Sequence, residues 1–133
     1  REFSEPVYRI ARDHVIGSSM KTTLTDRDGR VAIWRKPGWH SLNVGPFKAT
    51  NIQLHVGRRP IFAVGNSDGD LDMMRFTHDG SLPSLVMLLD HDDPDREFAY
   101  DDAPKAREVA GRNGWSLISM RTDFRAVFPA SSR

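Results

Sequence analysis

From residue 60 onward the chain carries three short, almost uninterrupted apolar runs: Pro60-Ile61-Phe62-Ala63-Val64, Leu85-Val86-Met87-Leu88-Leu89 and Leu117-Ile118-Ser119-Met120. Runs of this length without period-two alternation fit strands buried on both faces of a parallel sheet. Between them, Leu71-Asp72-Met73-Met74-Arg75-Phe76 has helical spacing, and a second helix is predicted around Lys105–Arg112, stopped by Gly114. Strand, helix, strand, helix, strand is the order of an α/β fold with a parallel sheet and flanking helices. In such a sheet the chemistry gathers at the C-terminal ends of the strands.

The first sixty residues follow a different pattern. Residues 3–11 read as the end of a helix, and Val15-Ile16-Gly17-Ser18 as a short buried strand closed by small residues. Met20 to Lys36 alternates as a hairpin: Lys21-Thr22-Thr23-Leu24-Thr25, a turn at Asp26-Arg27-Asp28-Gly29, then Val31-Ala32-Ile33-Trp34. Pro37 to Pro46 is read as loop. A helix is expected from Lys48, with Ile52, His55 and Val56 on one face and Gly57 as its stop. There is no internal repeat and no low-complexity linker.

Composition narrows the function classes. A chain of 133 residues is the size of one ordinary domain and can bury a real core. With 38% hydrophobic and 28% charged residues and a mean hydropathy of −0.52, it has the balance of a soluble globular protein. The 19 basic and 18 acidic residues are spread evenly, so charge offers no reason to expect a nucleic-acid or membrane partner. No apolar run approaches the roughly 20 residues that span a bilayer. Cysteine is absent, which excludes disulfides, thiolate metal sites and a Cys nucleophile without settling the compartment. The opening Arg-Glu-Phe-Ser-Glu reads as the middle of a helix, so an upstream segment, with any targeting signal, is expected.

The densest chemistry lies in Phe62-Ala63-Val64-Gly65-Asn66-Ser67-Asp68-Gly69-Asp70-Leu71-Asp72-Met73. A buried strand delivers a small polar loop, and a helix begins at once. Magnesium takes hard oxygen ligands and keeps several waters, and Asn66 and Asp70 offer two such oxygens at one strand end. The same residues also suit a helix N-cap with an acidic first turn. The pattern leaves both open.

This loop resembles the fourth signature motif of the haloacid-dehalogenase-like hydrolase superfamily, in its phosphoserine-phosphatase-like branch. Gly45-Pro46-Phe47-Lys48-Ala49-Thr50-Asn51-Ile52 resembles the segment in which the family places a lysine at a helix start. The blocks Val15–Ser19, His55–Pro60, Asp95–Asp101 and Gly114-Trp115 through Phe128-Pro129 resemble, in order, a bacterial subgroup of that branch.

The resemblance implies a Rossmann-like parallel sheet and a magnesium-dependent phosphomonoester hydrolase acting on a small phosphorylated substrate. Lys48 would be the catalytic, charge-stabilising lysine, Asn66 and Asp70 the metal residues, and Ser67, Asp68 and His91 candidates for lining the substrate pocket. In the family an aspartate attacks phosphorus while magnesium and the lysine offset the charge that develops. Asn66 stands where most of the family has an acidic residue, which lowers the charge of the loop; the subgroup it resembles carries the same Asn.

The nucleophile motif, Asp-x-Asp-x-Thr after an apolar strand, is not in the chain. Asp26-Arg27-Asp28-Gly29 mimics its spacing but follows Lys-Thr-Thr-Leu-Thr, so it reads as a hairpin turn. Residues 1–133 therefore read as the C-terminal portion of a single catalytic domain, with the hairpin and loop 20–46 inserted and the N-terminal part absent. Without the missing strands the sheet would expose long apolar edges, so the expected partner is the missing N-terminal half or an oligomer. The other reading is a non-catalytic module that holds metal or an anion. Subgroup members are often exported, which leans toward a periplasmic parent.

Other residues carry weaker signals. Asp90-His91-Asp92-Asp93 ends a strand, and its members read singly as a solvated loop capping the helix after it. Asp95-Arg96-Glu97 reads as an ion cluster at that helix start. His40 and His55 read as surface or core residues, Arg58-Arg59 as a solvated pair, and Trp34 and Trp39 as packing residues.

Overall fold

The structure is a computed structural model that describes residues 2–127. Phe128 and Pro129, the end of the last block noted above, lie outside the described residues. The chain divides into two compact units, residues 1–57 and 58–133, and each is described by itself.

The first unit opens with α1 (Ser4–Tyr8) and a single 3-10 turn at Arg12–His14. Its main element is a long antiparallel ribbon, β1 (Ser19–Arg27) with β2 (Arg30–Ser41). The ribbon turns on the pair Asp28-Gly29, whose φ values of 52° and 74° are both positive. Two-residue hairpin turns of this kind match the right-handed twist of the strands, and Asp-Gly is a favoured pair for them. The turn is thus two residues long and sits two positions later than the predicted four-residue stretch began.

The predicted loop at Pro37–Pro46 is corrected as well. β2 runs on to Ser41 through a shift of register in which Met20 pairs with Trp39 while Thr22 pairs with Arg35. The extra residues of β2 include Pro37 and Gly38, and a bulge is where a strand tolerates a residue with no N–H to donate.

The predicted strand at Val15–Ser18 does not form. An apolar run becomes a strand only when a neighbour pairs with it, and here a side chain answers instead. Asn43 donates Nδ2–H to the Ile16 carbonyl (3.1 Å), and its backbone N–H reaches Ser18 Oγ (2.9 Å). Asn43 Oδ1 in turn accepts from Asn51 Nδ2 at 2.9 Å, and Asn51 is buried with Ser41. This polar network ties the end of the ribbon to α2 (Pro46–Val56), which ends on Gly57 in the left-handed conformation as the sequence predicts but starts on Pro46, two residues before the expected Lys48, because proline suits a first helical turn.

The second unit is the mixed α/β part. Strands β3 (Phe62–Gly65), β4 (Leu85–Asp90) and β5 (Ser116–Ser119) form a parallel sheet in the order β3-β4-β5. α3 (Leu71–His78) links β3 to β4, and α4 (Pro104–Asn113) links β4 to β5. The predicted elements all form, with ends shifted by a residue or two.

Both helices contribute to one core with Ala63, Val86, Leu88, Met74, Ala103, Ala106, Ala110 and Trp115. The register pairs Ala63 with Val86 and Gly65 with Leu88, so these residues share the helix-covered face. Alanines at 103, 106 and 110 form a small-residue stripe that lets α4 lie close to the sheet. Leu88 and Met74 are fully buried, and burial of such a side chain contributes about 1.5–3 kcal/mol.

The strands are not buried on both faces, contrary to the expectation from their apolar runs. Phe62, Val64, Leu85 and Leu117 remain 55%, 44%, 48% and 50% exposed. β3 is also an edge strand, with no pairing partner on its outer side among the described residues. No helix among the described residues is long and apolar enough to cross a membrane.

Candidate functional site

The Gly65–Asp70 loop leaves the C-terminal end of β3 and passes through one 3-10 turn, Asp68–Asp70, into α3. Its geometry is set by Asp70, which is 5% exposed. Oδ2 of Asp70 accepts from the backbone N–H of Asn66 (3.1 Å), the N–H of Ser67 (3.3 Å) and the Ser67 hydroxyl (3.1 Å). This carboxylate and Ser67 form a reciprocal capping box at the start of the helical segment. Gly65 is what allows it. A Cβ on residue 65 would stand 2.5 Å from Asp70 Cβ and 2.7 Å from Met74 Sδ, so only glycine lets the carboxylate and α3 approach the strand.

Asp68 faces the other way. Its Oδ1 accepts the backbone N–H of Ala106 at 2.8 Å, and its own N–H donates to the Asp102 carbonyl at 2.7 Å. The N-cap residue of α4 is Ala103, which has no side-chain oxygen to offer. Asp68 therefore caps α4 from 38 residues away and pins the Gly65–Asp70 loop to the helix beyond β4.

Because β3 and β4 are parallel neighbours, the segment after β4 emerges beside this loop. His91 follows β4 directly. The chain then bends back, and Tyr100 forms an antiparallel bridge to His91, with its N–H on the His91 carbonyl at 3.1 Å. The two rings stack, with centroids 4.6 Å apart and planes at 18°. His91 Nδ1 lies 2.9 Å from Glu97 Oε2, so it donates its proton to that carboxylate. Its Nε2 lies 3.4 Å from Asn66 Nδ2, which also reaches the Tyr100 hydroxyl at 2.5 Å. Asn66, Ser67, Phe98, Tyr100 and Asp102 line an open recess of about 520 Å³. A second recess of about 340 Å³ lies along Asp90, His91, Tyr100, Asp101 and Arg107.

The acidic run after β4 is not a solvated loop, and no helix follows it until α4. Asp90 binds Arg107 (2.6 Å), which also takes Asp101 (3.0 Å). The hydrogen bonds that Arg107 donates to Asp90 are the main cause of an Arg107 pKa raised above its ordinary value. Asp92 accepts the Ser119 hydroxyl (2.7 Å) and the Arg121 N–H (3.0 Å), and these two bonds hold its carboxyl below the ordinary aspartate value. Asp93 is buried against Arg96, whose guanidinium also gathers the carbonyls of Met120, Arg121, Phe124 and Arg125. The expected helix-start cluster at Asp95–Glu97 is thus a turn in which Arg96 and Glu97 are held by other residues while Asp95 is exposed.

The second unit brings Asn66, Ser67, Asp70 and His91 into one cluster and employs Asp68 as a cap. Lys48 belongs to the first unit, in the opening turn of α2, where its N–H donates to the Gly45 carbonyl at 3.0 Å. Arg59 is not simply solvated. It lies over the Phe76 ring at 4.2 Å and donates to the Phe76 carbonyl near the C-terminal end of α3. Trp34 and Trp39 are exposed rather than packed, with the Arg27 guanidinium 3.9 Å over Trp34. His40 and His55 are both exposed.

Glu97 reads in the sequence only as a member of a helix-start ion cluster, and Tyr100 carries no site signal of its own there. They stand 31 and 34 positions from Asn66, and only the return of the chain from β4 brings them there. No local spacing marks them.

The donors near the loop suit magnesium in kind. The amide oxygen of Asn66 and the carboxylate of Asp70 are hard oxygen ligands. They bring a single negative charge, and the described residues hold no group of three His, Asp or Glu placed around a common metal position. Two such donors alone fall short of a complete magnesium site among the described residues. Compared with models of known protein families and with curated proteins, the chain matches none.

Proposed function

We propose that this chain carries the metal-loop and lysine portion of a magnesium-dependent phosphomonoester hydrolase of the haloacid-dehalogenase-like type. The observation that carries the reading is the Gly65–Asp70 loop itself. It stands at the C-terminal end of a parallel strand, held by the Asp70 carboxylate and admitting nothing larger than glycine at its base. That is where a parallel α/β sheet gathers its chemistry. The edge position of β3 and the exposed apolar face of the sheet support the expectation that further strands complete the fold.

In this reading Asn66 and Asp70 hold magnesium together with ligands from outside the chain. When bound, magnesium would offset charge on the transferring phosphoryl group. The chain's own contribution is positioning. Asp70 holds the loop backbone, Ser67 closes the capping box, and Asp68 locks the loop to α4. Lys48 takes the charge-stabilising role by resemblance. The attacking aspartate has to come from elsewhere, because Asp26 and Asp28 belong to the ribbon and its turn.

The test is hydrolysis of p-nitrophenyl phosphate by the longer parent protein, with and without magnesium. Lys48→Ala and Asp70→Asn are each expected to lower kcat by about 100-fold or more, the usual cost of removing a charge-stabilising group. Full activity in both variants would refute the assignment. Magnesium-induced shifts at the loop without turnover in the parent would favour the non-catalytic binding module.

A further inference from the structure

A carboxylate presents acceptor oxygens from either edge, but the amide of Asn66 has one accepting and one donating edge. An amide that serves a cation must be told which edge to present. Three residues around Asn66 supply that instruction. Glu97 accepts the Nδ1 proton of His91 at 2.9 Å, so that in the neutral ring Nε2 is the lone pair. A lone pair 3.4 Å from Asn66 requires the amide nitrogen there, and the Tyr100 hydroxyl at 2.5 Å is the second acceptor for the same NH₂. The stack of His91 on Tyr100 fixes the ring plane. The amide oxygen is then left on the opposite edge.

Glu97 supplies an independent sign that the arrangement is not there for stability. Its Oε1 is buried with no hydrogen-bond partner among the described residues, and its side chain is only 9% exposed. A buried acceptor left unsatisfied costs stability, and such a group calls for an explanation beyond packing.

We propose that His91, backed by Glu97 and stacked on Tyr100, is a positioning residue that sets the amide of Asn66 nitrogen-inward, so that its oxygen is the ligand donor of the loop. The donor role of that oxygen rests on the magnesium reading above. The orientation of the amide does not.

The experiment uses the whole 133-residue chain labelled with ¹⁵N, observed by imidazole and side-chain amide correlation spectra, and titrated with Mg²⁺ alone. The expected result is a His91 ring protonated on Nδ1, a slowly exchanging Asn66 NH₂ pair, and Mg²⁺-induced shifts at residues 66–70. His91→Phe keeps the stack but removes the acceptor. It should free the Asn66 NH₂ pair and weaken Mg²⁺ binding about tenfold or more, the usual cost of losing such a support. Glu97→Leu should do the same, while Glu97→Gln, whose amide oxygen still accepts from Nδ1–H, should restore wild-type behaviour.

Should either disruptive variant fail to fold, Tyr100→Phe removes the other acceptor and should likewise loosen the NH₂ pair. Unchanged Asn66 NH₂ resonances in His91→Phe and Tyr100→Phe would overturn the proposal. A wild-type chain whose loop ignores Mg²⁺, but whose Asn66 amide is still released by His91→Phe, would uphold the positioning and reject Mg²⁺ binding by these two loop donors alone.

Discussion

Replacing Gly65 by alanine adds one methyl group at the base of the loop, and the structure says what it meets. The new Cβ would lie 2.5 Å from Asp70 Cβ, 2.7 Å from Met74 Sδ and 3.1 Å from Asp70 Cγ. Ordinary carbon contacts lie at about 3.5–4.0 Å, so roughly 1 Å of movement is required. Met74 is fully buried and has no free space to swing into without disturbing the core. Overpacking of this kind costs about 1–3 kcal/mol. If Asp70 yields instead, the capping box opens, at a further cost of about 0.5–2 kcal/mol. The combined loss is on the order of 2–4 kcal/mol. For a unit of this size each kcal/mol moves Tm by about 4–8 °C, so a fall of about 10 °C or more is expected.

Gly111→Ala is the internal control. It sits inside α4 of the same unit with nothing within 4 Å of its added Cβ, and a helix-interior alanine gains about 0.5–1 kcal/mol over glycine. Thermal unfolding followed by far-ultraviolet circular dichroism should therefore move in opposite directions for the two substitutions. A Gly65→Ala protein melting at or above the wild-type temperature would refute the argument that the carboxylate of Asp70 is pressed against the strand.

Asp68→Ala should lower the stability of the second unit by about 1 kcal/mol, the usual worth of a cap, and should raise hydrogen exchange at the Ala106 amide. Asp68→Asn, which keeps the acceptor oxygen, should recover most of the loss when both variants are unfolded in a urea titration. The Asp92 carboxyl should titrate below its ordinary 3.8, held down first by the Ser119 hydroxyl and then by the Arg121 N–H. Because the folded value is depressed, this group adds stability at neutral pH that is lost as pH falls below about 4 toward the folded pKa. Ser119→Ala should move the Asp92 carboxyl resonance midpoint upward, and an unmoved midpoint would count against the assigned cause. Loss of magnesium-dependent turnover in Lys48→Ala and Asp70→Asn, and release of the Asn66 amide in His91→Phe, complete the set.

Local pattern was enough wherever the cause was local. The runs at Phe62–Val64, Leu85–Leu89 and Leu117–Ser119 are strands because apolar, β-prone residues sit between turn and helix signals. α2 ends on Gly57 and α4 on Gly114, each from the backbone preference of the glycine itself. The loop from Gly65 to Asp70 is legible because its capping partners lie within four positions of one another.

What the sequence could not determine is what each element meets. Val15–Ser18 is as apolar as a short strand but has no neighbour to pair with, so Asn43 takes its polar groups instead. β3 has the composition of a strand covered on both sides, yet α3 and α4 cover one face of the sheet only. Asp90 and Asp92 read as part of a solvated cap because their partners lie 17 to 29 positions away, in α4, at the end of β5 and just beyond it. The same holds for Asp68 on α4, and for His91 and Tyr100 on Asn66. These pairs exist because parallel pairing brings the C-terminal ends of β3 and β4 side by side, a consequence of strand register that no local spacing encodes.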